Sequence, residues 1–263
     1  MKYLAFASCA FQSRLAYRSQ IWAQLIAEFA AVIAKIAIWT SLISARGSAG
    51  GVSRADMLTY SMLGASVASS WEWQKFLQRL GNQVRTGDVA AYFTRPASFP
   101  AIIFFEALGS VAFKALFVMA PVIVTVTLVY GVSPPASAWH AVLFLGFWVV
   151  AFLILFALGA IFALFSFWLM TTFSLEWLLL GMLTILSGGF IPFWFYPEAL
   201  APYLVLQPLA WVGFHPMAVY LGKYSVTESL AYLAGGMGWL GILALAAALL
   251  WRTTARRLVV QGG

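Results

Sequence analysis

Residues 139–170 carry no Asp, Glu, Lys or Arg, and this stretch is the clearest of several apolar runs long enough to cross a lipid bilayer. A spanning helix needs about 20 mainly apolar residues, because the hydrocarbon core is about 30 Å thick and each helical residue rises about 1.5 Å. Within lipid every backbone N–H and C=O must be satisfied by the protein itself, so such runs dictate helices. The chain has 263 residues, 63% hydrophobic and 9% charged, whereas an ordinary soluble domain is about one quarter charged. The sequence therefore predicts an all-α, polytopic membrane protein. It has room for six spans and their connections but for no sizeable soluble domain, which excludes a built-in ATPase or receptor domain.

The net charge of +7 comes from residues at the ends of apolar runs, not from one dense basic patch. This fits membrane topology and gives no support to nucleic-acid binding. Cys9 is the sole cysteine, so no internal disulfide or cysteine metal cluster is available. The apolar run before Cys9 is too short for a signal peptide, and the N-terminus is expected to be retained.

The expected architecture is one membrane domain over residues 1–263: an N-terminal interfacial helix (1–19), a six-span bundle (20–251) and a cytoplasmic tail (252–263). The interfacial helix carries Lys2, Arg14 and Arg18 among aromatics, and the same residues also fit an extension of the first span. The spans fall at 20–44, 55–73, 100–130, 139–170, 177–187 and 230–251, with Ser53 and Asp56 in a capping-box start for the second. Glu28 and Lys35 lie in the first span, Glu106 and Lys114 in the third. Ionisable groups at membrane depth are costly and mark substrate paths, partner contacts or structural pairs with other helices, or else lie near a span end and snorkel, and the sequence leaves these uses open.

Far from either end the chain turns polar and basic at residues 85–100. Gly87 permits a break and Asp88 is a good N-cap. Val89, Tyr92 and Phe93 then fall at i, i+3 and i+4 on one face of a short helix, flanked by Arg85 and Arg95 and stopped by Pro96. The spacing suits a surface helix that presses its apolar side into a partner, and equally an ordinary basic loop. Beyond Gly188-Gly189, Pro192, Pro197, Pro202, Pro208 and Pro216 interrupt a segment still apolar enough for lipid. Short broken helices dipping into the interface are expected there, with Tyr196 and neighbouring aromatics forming an external gate or an interfacial belt.

Six spans place both termini on one side. That side holds Lys2, Arg14, Arg18, Lys75, Arg79, Arg85, Arg95, Arg252, Arg256 and Arg257, and the other holds Arg46, Arg54 and Lys223. The basic side is cytoplasmic. His140 and His215 sit on the other side without ligand-spaced partners and read as interfacial residues. No catalytic, cofactor or metal site is indicated, and no G-x-x-x-x-G-K-[ST] motif is present. Work done by such a chain is passive, ion-driven or powered by another subunit.

The order of these features resembles a type-two ABC exporter permease over nearly the whole chain. The resemblance rests on the basic N-terminal helix, Arg85-Thr-Gly-Asp88 to Arg95-Pro96, Gly188-Gly-Phe-Ile-Pro192 to Tyr196-Pro197, and the tail from Trp251-Arg252 to Gln261-Gly-Gly263. It implies an ATP-driven exporter subunit of the inner (plasma) membrane, with a coupling helix at 87–93 and external helices at about 192–216. The partners it implies are cytosolic ATPase subunits carrying ATP and Mg, and a second permease that is the same chain or a homologue. An ion-coupled secondary transporter and a non-transporting scaffold are the alternatives, and the internal repeat that the former commonly shows is not found.

Overall fold

The computed structural model describes residues 2–46, 52–87 and 98–261, and no strand occurs among them. In chain order the helices are α1 (Lys2–Leu15), α2 (Arg18–Arg46), α3 (Arg54–Ser69), α4 (Trp73–Thr86), α5 (Phe99–Lys114), α6 (Ala120–Tyr130), α7 (Ala138–Leu169), α8 (Phe173–Leu186), α9 (Ala201–Leu206), α10 (Ala210–Tyr220) and α11 (Val226–Gln261). A π-helical turn, Ala115–Met119, joins α5 to α6, and a 3-10 turn, Phe193–Phe195, precedes α9.

Local chemistry sets the ends of these helices. Ser53 accepts the Asp56 N–H at 3.0 Å and caps α3, but the Asp56 carboxylate turns to Lys223 at 2.8 Å and leaves the reciprocal half of the box unmade. At α11 the box is complete: Glu228 accepts the Ser225 N–H at 2.8 Å and Ser225 Oγ accepts the Glu228 N–H at 3.2 Å. Gly87 closes α4 in the left-handed conformation, φ 81°.

Among the described residues, four helices are long and apolar enough to cross a membrane: Ser19–Ile43, Phe99–Tyr130, Ala138–Leu169 and Val226–Arg256. The other two expected spans appear as shorter helices, α3 with 16 residues and α8 with 14. At about 1.5 Å per residue these are about 24 and 21 Å long, less than the roughly 30 Å hydrocarbon core. α8 also begins at Phe173, before Glu176, so the turn between α7 and α8 is tighter than the sequence indicates.

α7 is the strut of the bundle. α4 runs parallel to its second half, with Phe76 against Phe156, Ser166 Oγ donating to Gly81 O at 3.2 Å, and Arg85 reaching Met170 O. α10 covers the first half from the opposite direction, pairing His215 with Phe147 and Tyr220 with Phe144. α11 lies along a third side, its Leu233 and Gly236 against Gly146 and Val150.

α1 does not stand apart from the bundle. It runs parallel to α5, with Tyr3 stacked on Phe105 and Phe11 edge-on to Phe113. Between these rings Gly109 lets the two backbones meet, because a Cβ there would lie 2.1 Å from Ala7 O. We expect Gly109→Val to force the helices apart at an overpacking cost of about 1–3 kcal/mol. It should lower the melting temperature of the detergent-purified protein, whereas Gly238→Ala, at a position with open space around it, should not.

Candidate functional site

α8 ends inside the protein, so its carbonyls need partners that water does not supply. Tyr196 and Gln207 supply partners for its last two carbonyls, and Tyr60 and Lys35 for the turn just beyond it. Tyr196 Oη donates to Ile185 O at 2.6 Å, Gln207 Nε2 to Leu186 O at 2.6 Å, Tyr60 Oη to Gly188 O at 2.7 Å and Lys35 Nζ to Gly189 O at 2.7 Å. Burial pushes the Tyr196 hydroxyl above its ordinary value and keeps it a donor. Gly213 on α10 allows the turn to be gripped this closely, since a Cβ there would meet Ser187 O at 2.5 Å and Gly189 N at 2.6 Å.

The same device closes α3. Lys114 Nζ, from α5, donates to Ser69 O at 2.9 Å and stands 3.8 Å from Glu72. Glu72 lies in the break between α3 and α4 and also binds Arg14 at 2.6 Å, Lys75 at 3.1 Å and Gln24 at 3.3 Å. Glu28 is buried on α2 within electrostatic reach of Lys114 and Lys35 and beside Ser69, with one carboxylate oxygen unpartnered among the described residues. Glu106 pairs with Arg79 at 2.7 Å. The four charges in the spans therefore divide: Lys114 caps the end of α3, Lys35 holds the turn beyond α8, Glu106 joins an ion pair, and Glu28 sits within electrostatic reach of both lysines.

The proline-broken segment is anchored by its rings. Pro192 leads into the 3-10 turn, Pro197 O accepts Leu200 N at 2.8 Å, and Pro202 occupies the first turn of α9. The helix that contains Pro202 is only six residues long and does not span. Phe193 packs on Phe214, Trp194 on Tyr60 and Phe214, and Phe195 stacks on Trp39 at 4.9 Å between centroids.

Both histidines are structural, and the reading of His215 as interfacial is corrected. It is fully buried among Trp211, Tyr224 and Tyr232. Its Nε2–H donates to Val205 O on α9 at 2.9 Å and joins the two short helices. His140 bridges Ser137 Oγ at 2.8 Å and Tyr224 O at 3.0 Å.

Of the coupling residues, Arg85 is exposed in the last turn of α4, 3.4 Å from both Met170 O and Asn82 Oδ1, and Gly87 ends that helix. Asp88, Val89, Tyr92, Phe93 and Arg95 lie outside the described residues. Glu72 escaped the sequence reading because it sits between Trp71 and Trp73, which mark an interface by themselves. Tyr60 and Gln207 carry no sequence signal for their capping role.

A family model described as ABC-2 family transporter protein matches residues 29–262. The chain belongs to the ABC-2 transporter family. The match agrees with the resemblance read from motif order, and it runs from the middle of α2 almost to the C-terminus, leaving α1 outside. No curated protein and no solved structure matches the chain. ABC-2 proteins are membrane components of transporters, so the α8 carbonyl caps and the Glu72 cluster are parts of a transport protein and not of a catalytic centre.

Two outcomes check this geometry in the ABC-2 chain. Lys35→Met leaves the Gly189 carbonyl buried without its donor, which costs about 1–3 kcal/mol and should appear as a lower melting temperature in detergent. Burial pushes the His215 imidazole down to about 4 against the smaller opposing effect of its Val205 hydrogen bond. The unfolded chain takes up the same proton near pH 6.5. This contribution to stability is therefore complete above about pH 6.5 and is lost as pH falls from there toward 4. Thermal unfolding across that window should show a falling midpoint in the parent and a flatter one in His215→Gln.

Proposed function

We propose that this chain is the permease subunit of an ATP-driven exporter in the inner (plasma) membrane. It works with a second permease, another copy or a homologue, and with separate cytosolic subunits that bind ATP and Mg and hydrolyse the nucleotide. The observation that carries this reading is the ABC-2 match over residues 29–262 in a chain with no P-loop sequence of its own.

The path through the membrane takes six spans in this reading. α3 continued by α4 makes the second, and α8 with the turn beyond it makes the fifth. The parallel course of α4, α7 and α11 supports this, because the second, fourth and sixth spans of such a bundle all descend toward the same side. The distribution of Lys and Arg makes that side cytoplasmic and places the termini and residues 75–99 there, with 45–54, 131–138 and 190–228 outside. The broad apolar surfaces of α2 and α11, including Trp22, Ile26, Ile242 and Leu245, suit lipid and a second permease. An ion-coupled transporter would draw on intramembrane charges, but Lys35 and Lys114 are already committed to backbone carbonyls.

Residues 87–93 are the coupling helix in this proposal, with Tyr92 and Phe93 filling a cleft on the ATPase and Asp88 holding the helix start. Losing an aromatic anchor commonly costs about 2 kcal/mol or more, about thirtyfold in affinity. Co-purified with its ATPase, the parent should transport in an ATP-dependent way. Tyr92→Ala with Phe93→Ala, and separately Asp88→Ala, should insert normally yet weaken ATPase association and transport-stimulated hydrolysis. Normal insertion with hydrolysis and export at the parent rate would overturn the coupling role.

A further inference from the structure

Between α1, α4 and α5 lies an open cavity of about 410 Å3 lined by Arg14, Glu72, Lys75, Arg79 and Glu106 together with small and apolar residues. Between α4, α5, α7 and α11 lies a second opening of about 330 Å3 whose lining is apolar, with Phe156, Ala160, Leu164, Ala244 and Ala248 among its walls. Phe76, Leu80 and Ile103 line both. The charged cavity and the apolar groove therefore stand side by side with one layer of side chains between them.

Charge in the first cavity is unevenly matched. Arg79 and Glu106 offset each other. Glu72, however, is shared by three cations, Arg14, Lys75 and Lys114. One carboxylate offsets one of them, and a surplus of positive charge remains around it even with Glu28 near Lys114. The Lys75 side chain is 70% exposed and lines the cavity itself.

We propose that the two openings together bind one anionic phospholipid, its phosphate beside Lys75 in the Glu72 cluster and one acyl chain along the groove faced by Ala244 and Ala248. A soluble anion would leave the groove unfilled, and a lipid of zero net charge would leave the surplus positive charge unmatched. The bound lipid belongs to the cytoplasmic leaflet, an assignment that rests on the orientation proposed above. It bridges α11 to α4 and α5, adding to the Phe99–Trp251 stack that already joins α11 to α5. The site is lateral to the bundle, and the lipid is a resident partner, not cargo.

Native mass spectrometry of the full chain, extracted from vesicles of equal phosphatidylglycerol and phosphatidylcholine, tests the site without ATP or an ATPase, so its outcome is independent of the transport reading. The parent should retain one phosphatidylglycerol in preference to phosphatidylcholine. Lys75→Gln should reduce that retention by about fivefold, the share of one cation near a membrane surface, and Lys75→Arg should restore it. Ala244→Leu with Ala248→Leu fills the groove at two exposed positions and should abolish retention while the protein still elutes as a folded species. Equal retention of both lipids, or unchanged retention in the Lys75→Gln and groove-filled variants, would overturn the proposal. Displacement of the lipid by glycerol phosphate at matching concentration would do so as well, by making the cavity a soluble-anion site.

Discussion

Lysine donated to a backbone carbonyl is the interaction on which this bundle depends. α3 and α8 are too short to carry their own hydrogen bonding across a bilayer, so each ends where carbonyls meet protein and not water. Both ends also carry the negative pole of a helix dipole. The long neighbouring helices answer with cations, Lys114 from α5 at Ser69, the last residue of α3, and Lys35 from α2 at Gly189, in the turn that follows α8. A buried ammonium and an orphaned carbonyl are each costly alone, and bringing them together offsets both costs in one contact.

The rest of the architecture follows from where those caps stand. Once α8 and the turn after it are held by Lys35, Tyr60, Tyr196 and Gln207, the chain beyond has no helix to continue and is held through aromatic contacts. Phe193, Trp194 and Phe195 reach three different parts of the bundle, and α10 then returns as a fully buried helix against α7. At the other cap Lys114 draws Glu72, Arg14 and Lys75 into one layer, so α1, α4 and α5 share a charged seam although their outer surfaces differ. Glu28 lies on α2 between the two lysines and couples the layers electrostatically.

The helical class, the long spans and the proline-broken segment were legible because apolar run length and proline act locally. The unusual charges were legible too: Glu28, Lys35, Glu106 and Lys114 stand out in apolar surroundings. Their partners were not, since Lys35 and its carbonyl are 154 positions apart and a backbone acceptor leaves no mark on residue identity. Glu72 was hidden by the tryptophans on either side, and the docking of α1 depends on the absence of a side chain at Gly109, which composition does not distinguish from other glycines. His215 was read as interfacial from its place on the extracytoplasmic side in the proline-broken segment, whereas α10, Pro216 included, carries it into the core. The coupling residues from Asp88 to Arg95 rest on spacing and family alone.

The reach from Lys35 to Gly189 also imposes an order on membrane insertion. At about 5–20 residues per second the ribosome needs about 8–30 s to make the 154 residues that separate the lysine from its acceptor. Lys114 has no such wait, because Ser69 was made 45 residues earlier. Throughout that interval α2 carries an ammonium that only headgroups, water or the insertion machinery satisfy, and it is held toward the interface by the length of the lysine stem. The first span to be synthesised is thus among the last to reach its final depth, and the turn after α8 is what fixes it there.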